Sequence, residues 1–168
     1  MKVRTLIGLI LCIALIVSTL LMIFGFSLES PDASSETSSR VATWLYARFP
    51  FQDAVTFESF SRVVRKLAHF AEYALLAAES VALVWLLLSD KGRKMRLLYG
   101  AFPLSFAILV ASLDEMLQLT VGRGGIVWDV LLDAGGALFG ITLLFLVYWL
   151  AERHKKRTKP KLDKMNDT

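Results

Sequence analysis

The sequence has few of the features that mark disulfide-linked proteins, zinc enzymes or nucleotide-binding proteins. Only one of its 168 residues is cysteine, Cys12, so no intramolecular disulfide can form. It contains no His-Glu-x-x-His zinc pair, no Gly-x-Ser-x-Gly nucleophile elbow and no phosphate-binding P-loop. We therefore disfavour these site classes, and we assign no residue as a metal ligand from a sequence motif.

Charged residues are also scarce. They make up 20% of the chain against 55% hydrophobic residues, and the mean hydropathy of +0.55 is too high for an ordinary soluble domain of this length. The apolar residues are grouped in long runs separated by polar stretches, which is the distribution that spanning helices require. We predict an all-α, polytopic integral membrane protein.

Four apolar runs are each long enough to cross the hydrocarbon layer, and they divide the chain. The first has no charge and lacks a small-x-small cleavage site behind it, so we predict an uncleaved anchor. The predicted segments are a first transmembrane helix (1–26), an extracytoplasmic loop (27–65), a three-helix core (66–150) and a basic cytoplasmic tail (151–168). In the loop, we expect a flexible or exposed Ser-rich part, then short amphipathic helices interrupted at Pro50.

The distribution of Lys and Arg predicts the orientation. Thirteen of the 19 basic residues precede the first span, join the second span to the third, or follow the fourth. Since basic residues concentrate in cytoplasmic connections, we place both termini in the cytoplasm. The positive net charge then reflects membrane orientation and contact with lipid headgroups, and we expect no nucleic acid as a partner.

Polar residues inside the later three spans form a second pattern. These residues lie at similar depths below one membrane face. Glu72, Asp114 and Asp129 are each six residues, or about 9 Å, from the predicted end of their span at that face. Each helix also carries its polar residues at spacings of three or four, on one face. We expect one ligand-binding site formed by Lys66, His69, Glu72, Tyr73, Asp114, Glu115, Gln118, Arg123, Asp129 and Asp133.

Several interpretations of this cluster stay open. Its acids outnumber its bases, so either a carboxylate is protonated or a cation, such as a divalent ion, shares the site. The candidates for acid and base catalysis are His69, Glu72, Asp114 and Glu115. Alternatively, the network only fastens the helices together, with His69 bonded to Glu72 or Asp129. Glu79, deeper in its span, is either a proton carrier or the partner of a hydroxyl such as that of Ser105 or Ser112.

Glycines surround the start of the fourth span. We predict that Gly122, Gly124 and Gly125 form a tight turn whose backbone amides can face an anion. Further along, Gly136 and Gly140 form a small-xxx-small pair, which predicts close packing of the fourth helix on a neighbour.

Three motifs, "KLAHFAEY", "DEMLQ" and "GRGGIVWDVLLDAGGALFG", resemble those of the VanZ-like membrane protein family, which is named for a teicoplanin-resistance protein. The resemblance covers residues 66–140 and includes all the site positions given above. Two positions depart from the family pattern: Asp133 stands where we expect asparagine, and Val121 stands where a proline is frequent. Asp133 adds a negative charge, which argues against a role that needs amide donors at this position.

The resemblance implies a bacterial cell membrane protein that influences the cell envelope or glycopeptide susceptibility, and it supplies no settled reaction. Our first hypothesis is binding or masking of membrane lipids, a lipid-linked cell-wall precursor or a glycopeptide, with Lys66 and Arg123 contacting phosphate or carboxylate. The second is an enzyme that modifies a lipid or envelope component through His69 and a carboxylate. A proton-coupled transporter using Glu79 ranks third, because four helices enclose only a small pathway.

Overall fold

The computed structural model describes residues 3–48, 55–88, 98–123 and 127–166. The described residues form five helices: α1 (Val3–Ser27), α2 (Pro31–Tyr46), α3 (Phe57–Leu88), α4 (Leu98–Thr120) and α5 (Val127–Asn166). They contain no strand, and four of these helices, all except α2, are long and apolar enough to cross a membrane. The prediction of an all-α polytopic membrane protein is therefore confirmed.

The helices extend beyond the predicted spans. α3 begins at Phe57, so the polar residues after Arg65 lie well inside a helix and not at its first turn. α5 continues from its apolar part through the basic tail to Asn166. In the loop, α2 is a single helix that includes much of the Ser-rich part, because the Ser30 side chain accepts a hydrogen bond from the amide of Ala33 (3.3 Å) and proline begins the first turn. The prediction for Pro50 lies outside the described residues.

α3 is the central helix and contacts each of the other four. Its buried face carries Tyr73, Leu76 and Ala77, which pack against apolar residues of α1, α4 and α5. Most large apolar side chains of α1 and of the spanning part of α5 point outward and are exposed. This arrangement suits a bundle in lipid, where helix association depends on close packing and not on removing apolar surface from water.

α3 and α5 touch through two glycines of α5. A β-carbon added at Gly136 would overlap the backbone carbonyl of Phe70, and one added at Gly140 would overlap that of Ala74. Backbone therefore lies directly against backbone, and the predicted close packing at this glycine pair is confirmed. Because α3 and α5 run in the same direction, Gly136 and Gly140 on α5 meet Phe70 and Ala74 on α3, and the residues of each pair are four positions apart.

We predict that Gly140→Ala destabilises the bundle by about 1 to 3 kcal/mol, because the methyl group forces the two backbones apart. Thermal unfolding of the purified protein in detergent measures the change. Gly100→Ala on α4 is the matched control: its β-carbon would meet nothing within 4 Å, and alanine has the higher helix propensity. Equal melting temperatures for Gly140→Ala and the wild type would contradict the packing described here.

Candidate functional site

The polar residues of three spans meet at one end of the bundle, where α1 and α4 end and α3 and α5 begin. We call this the site end. Three interhelix contacts define it: Ser27 on α1 bonds to Asp114 on α4, Lys66 on α3 pairs with Asp129 on α5, and Arg123 after α4 bonds to the carbonyl of Phe26 on α1.

A cavity of about 260 Å³, here the site cavity, opens at this end. It contains seven of the ten residues predicted for the site, together with two further arginines. Its lining residues are Arg62, Arg65, Lys66, His69, Glu115, Gln118, Gly122, Arg123, Asp129, Leu132 and Asp133. Of the other predicted residues, Glu72 lines a neighbouring cavity, and Tyr73 and Asp114 are fully buried. The sequence pattern thus located the residues that α3, α4 and α5 bring to one end.

The rim of the site cavity is basic. Lys66 forms an ion pair with Asp129 and thereby joins α3 to α5. Arg123 donates from Nη1 to the carbonyl oxygen of Phe26 over 3.0 Å, which ties the segment after α4 to the end of α1. Arg65 is different, because its buried Nε has no hydrogen-bond partner among the described residues. A charged donor in this position is available to an anion in the cavity.

Three buried acids, Asp114, Glu115 and Asp133, form what we call the floor, and two of them, Glu115 and Asp133, line the cavity. Asp114 is 0% exposed and accepts hydrogen bonds from the Ser27 hydroxyl and, over 3.0 Å, from the Gln118 amide. The same amide lies 3.4 Å from Glu115, and Asp133 of α5 is also buried. One carboxylate oxygen from each of these three acids lies within 4.8 Å of the others. Among the described residues, these three acids lie close enough together to hold one metal ion.

His69 is the one histidine among the residues that line the cavity. Its Nδ1 is 3.6 Å from Oε2 of Glu72, one turn away on α3, a distance that is too long for a hydrogen bond. The other partner considered from sequence, Asp129, is occupied by Lys66. His69 also lines both cavities of the site end.

The second cavity, here the side cavity, has a volume of about 230 Å³ and lies between α2, α3 and the end of α1. It shares Arg65, His69 and Arg123 with the site cavity, so these three side chains form a common wall. Its other lining residues are Phe26, Glu29, Ser34, Thr37, Ser38, Val41, Val64, Ala68 and Glu72. The helix α2 therefore contributes to the site end, although the sequence pattern did not suggest it.

Glu79 belongs to a separate contact. Its Oε1 accepts a hydrogen bond of 3.2 Å from the Thr19 hydroxyl of α1, and neither serine considered from sequence is the observed partner. Ser112 instead donates to the carbonyl of Ile108 in its own helix. Thr19 lies two turns deeper than Ser27 on α1. Glu79 therefore connects α3 to α1 below the site end.

The predicted glycine turn is partly described. Gly122 has φ = +78°, a left-handed conformation that glycine adopts without strain. The turn is closed by the amide of Arg123, which donates to the carbonyl of Gln118 over 3.0 Å. This geometry directs Arg123 back toward α1. Gly124 and Gly125 lie outside the described residues.

Sequence reasoning missed Ser27, Arg62 and Arg65 as site residues. A signal for the arginines was present, since Arg62 and Arg65 continue the polar stripe of α3 by one turn toward its N-terminus, at the same spacing of three or four. The sequence prediction begins this helix at residue 66, whereas α3 begins at Phe57. Ser27 carried no comparable signal, because its role depends on where α1 ends relative to α4.

The fold and this site define a multi-pass membrane protein with a polar, two-part cavity at one end of its bundle. A family model described as VanZ/LLP1 matches residues 9–148, which include the four spans apart from the ends of α1 and α5. The chain belongs to the VanZ/LLP1 family, as the motif resemblance implied. Comparisons with curated proteins and with solved structures gave no significant match.

Proposed function

We propose that this protein binds the anionic headgroup of a membrane lipid or lipid-linked envelope component at the outer leaflet. The observation that carries the proposal is the group of four basic side chains, Arg62, Arg65, Lys66 and Arg123, around one cavity at the ends of spanning helices. Such a cavity concentrates anions, because low-dielectric walls strengthen the field of charges at its mouth. Lipid phosphates lie at the depth where spanning helices end.

Two features of the rim support an anionic ligand over simple contact with bulk lipid. The buried Nε of Arg65 has no partner among the described residues, whereas a side chain that only extends to headgroups would keep its polar atoms at the surface. Arg65 and Arg123 also face both cavities. One anionic group could therefore be held from two sides.

The side cavity supports an amphiphilic ligand. Next to the shared basic wall it presents apolar side chains from three helices, Phe26 of α1, Val41 of α2 and Val64 of α3. A lipid has its charged group and its apolar chain side by side in the same way. A small soluble anion would gain no binding energy from the apolar side chains of the side cavity.

The outer location follows from the charge distribution along the chain. Most basic residues precede the first span, join the second span to the third, or follow the fourth, and the positive-inside rule assigns these segments to the cytoplasm. The site end then faces outward, where envelope precursors are presented. Binding there would mask or sequester a precursor or a glycopeptide, and so change susceptibility to glycopeptide antibiotics in the manner that the family resemblance implies.

We predict that Arg123→Ala and Arg65→Ala each weaken binding of anionic lipid about tenfold or more, because a hydrogen bond to a charged group contributes about 1.5 to 3 kcal/mol. The measurement is calorimetric titration of the detergent-purified protein with short-chain phosphatidylglycerol and with a polyprenyl diphosphate, in the presence of a chelator. Phosphatidylcholine serves as the neutral lipid and should bind weakly to every variant.

The matched control is Arg40→Ala, which removes one positive charge from exposed α2, where Arg40 pairs with Glu36 four residues away. It should leave the affinity within about twofold, since exposed ion pairs contribute little. Equal losses for Arg40→Ala and Arg123→Ala would show that net charge alone attracts the lipid. Equal affinity of the wild type for phosphatidylcholine and phosphatidylglycerol would refute the proposal.

A second candidate function, enzymatic modification of the bound lipid, is favoured by the contact between His69 and Glu72. A histidine beside a carboxylate at a cavity wall can accept and return a proton during transfer or hydrolysis of a headgroup. An enzyme of this kind would produce a covalently altered lipid, which a binding protein does not produce.

For this function, mass spectrometry of lipids and lipid-linked precursors should reveal a species that is present with the wild-type gene and lost in both the deletion and His69→Gln. His154→Gln changes the only other histidine, which lies at the end of the apolar span of α5 away from the site end, and should keep the wild-type profile. Identical profiles in all four strains, together with intact lipid binding, would eliminate the enzymatic function.

A further inference from the structure

We propose that Asp114, Glu115 and Asp133 form a binding site for a divalent cation at the inner end of the site cavity. The proposal concerns the floor of the cavity and does not depend on which lipid, if any, the rim binds. Two of the ligands come from α4 and one from α5, so the ion would also connect these helices.

The geometry of the three acids suits one ion. One oxygen from each side chain lies within 4.8 Å of the other two. Oxygen ligands lie about 2.0 to 2.6 Å from Mg²⁺ or Ca²⁺, so two ligands of the same ion can be up to about 5 Å apart. The side chains are 0%, 8% and 2% exposed, respectively. Their positions are thus set by helix packing and not by free rotation in solvent.

Repulsion among the three acids of the floor favours a bound cation. Three carboxylates at this spacing repel one another strongly where water is largely excluded, and buried charges persist only when paired or coordinated. Among the bases of the rim, Lys66 pairs with Asp129 and Arg123 bonds to the Phe26 carbonyl. Ser27 and Gln118 supply neutral donors, mainly to Asp114.

Two unpartnered polar atoms point independently to a ligand at this place. Oδ1 of Asp133 is buried and has no hydrogen-bond partner among the described residues. The same holds for the hydroxyl of Tyr73, a residue that is 0% exposed and interacts electrostatically with all three acids. A cation binds the free carboxylate oxygen directly, and a water molecule in its coordination shell can accept the hydrogen bond from the tyrosine.

The donor set selects the class of ion. All three ligands are carboxylate oxygens, which favour the hard cations Mg²⁺, Ca²⁺ and Mn²⁺ over ions that prefer sulfur or nitrogen. Entry is open, because Glu115 and Asp133 line the site cavity while Asp114 lies behind them. A cation at the floor would also cancel negative charge beneath the basic rim.

The test measures Mn²⁺ binding to the full-length protein in phosphatidylcholine nanodiscs. Binding is detected as the loss of the free-ion signal in electron paramagnetic resonance. We expect one tight Mn²⁺ per chain, displaced by Mg²⁺ or Ca²⁺. Asp133→Asn and Glu115→Gln should each weaken binding at least about tenfold, the lower end of the effects seen when the surroundings of a bound metal are altered. Asp133→Asn also introduces the residue that the family resemblance leads us to expect, which favours normal folding.

Glu79→Gln is the matched control, since it neutralises another acid within a span, bonded to Thr19 and outside the cluster. It should bind Mn²⁺ like the wild type. Absence of tight binding by the wild type, or equal affinities of Asp133→Asn, Glu115→Gln and the wild type, would overturn the proposal. Because nanodiscs of neutral lipid contain no anionic ligand and the lipid titrations contain a chelator, failure of the metal site and failure of lipid binding are distinguishable.

Discussion

The close contact between α3 and α5 is the constraint on which the rest of the site end depends. Gly136 and Gly140 lie against backbone carbonyls of α3, and Asp129 and Asp133 continue the same face of α5 toward the site end. The two helices therefore cannot meet at the glycines without bringing these carboxylates beside the polar stripe of α3. Lys66 then reaches Asp129, and Asp133 reaches the acids of α4. Backbone packing in the apolar layer thus positions charges near its surface.

The resulting cavity combines a basic rim with an acidic floor. In water such charges would be screened, but among spanning helices they act over the whole cavity because the local dielectric constant is low. The rim attracts anions, while the floor favours a cation and supplies carboxylates beside His69. Lipid binding, metal binding and proton transfer are therefore compatible uses of one arrangement, and each depends on a different subset of its residues.

Much of this could be predicted from the sequence, because helical spacing and equal depth in three spans carry the information. The spans, the meeting of the polar residues of three spans at one end, and the packing of Gly136 and Gly140 follow from this pattern. Contacts of α1 could not be predicted in this way: its sequence is uniformly apolar, so nothing identifies Thr19 as the partner of Glu79 or Ser27 as the partner of Asp114. The early start of α3 was missed because interfacial residues resemble a loop in composition. Arg62 and Arg65 were therefore not assigned to the site.

The central expectation is that the site end holds an outward-facing cavity with a basic rim. It can be tested by the reactivity of introduced cysteines toward charged thiol reagents. With Cys12 replaced by alanine, Gln118→Cys places a thiol in the cavity, and Met116→Cys places one on the exposed face of the same helix. Membrane-impermeant methanethiosulfonates are added from outside intact cells, and rates are normalised to Ser39→Cys on exposed α2. We expect that Gln118→Cys reacts, faster with the anionic than with the cationic reagent, and that Met116→Cys does not. Unreactive Gln118→Cys, or a preference for the cationic reagent, would contradict it.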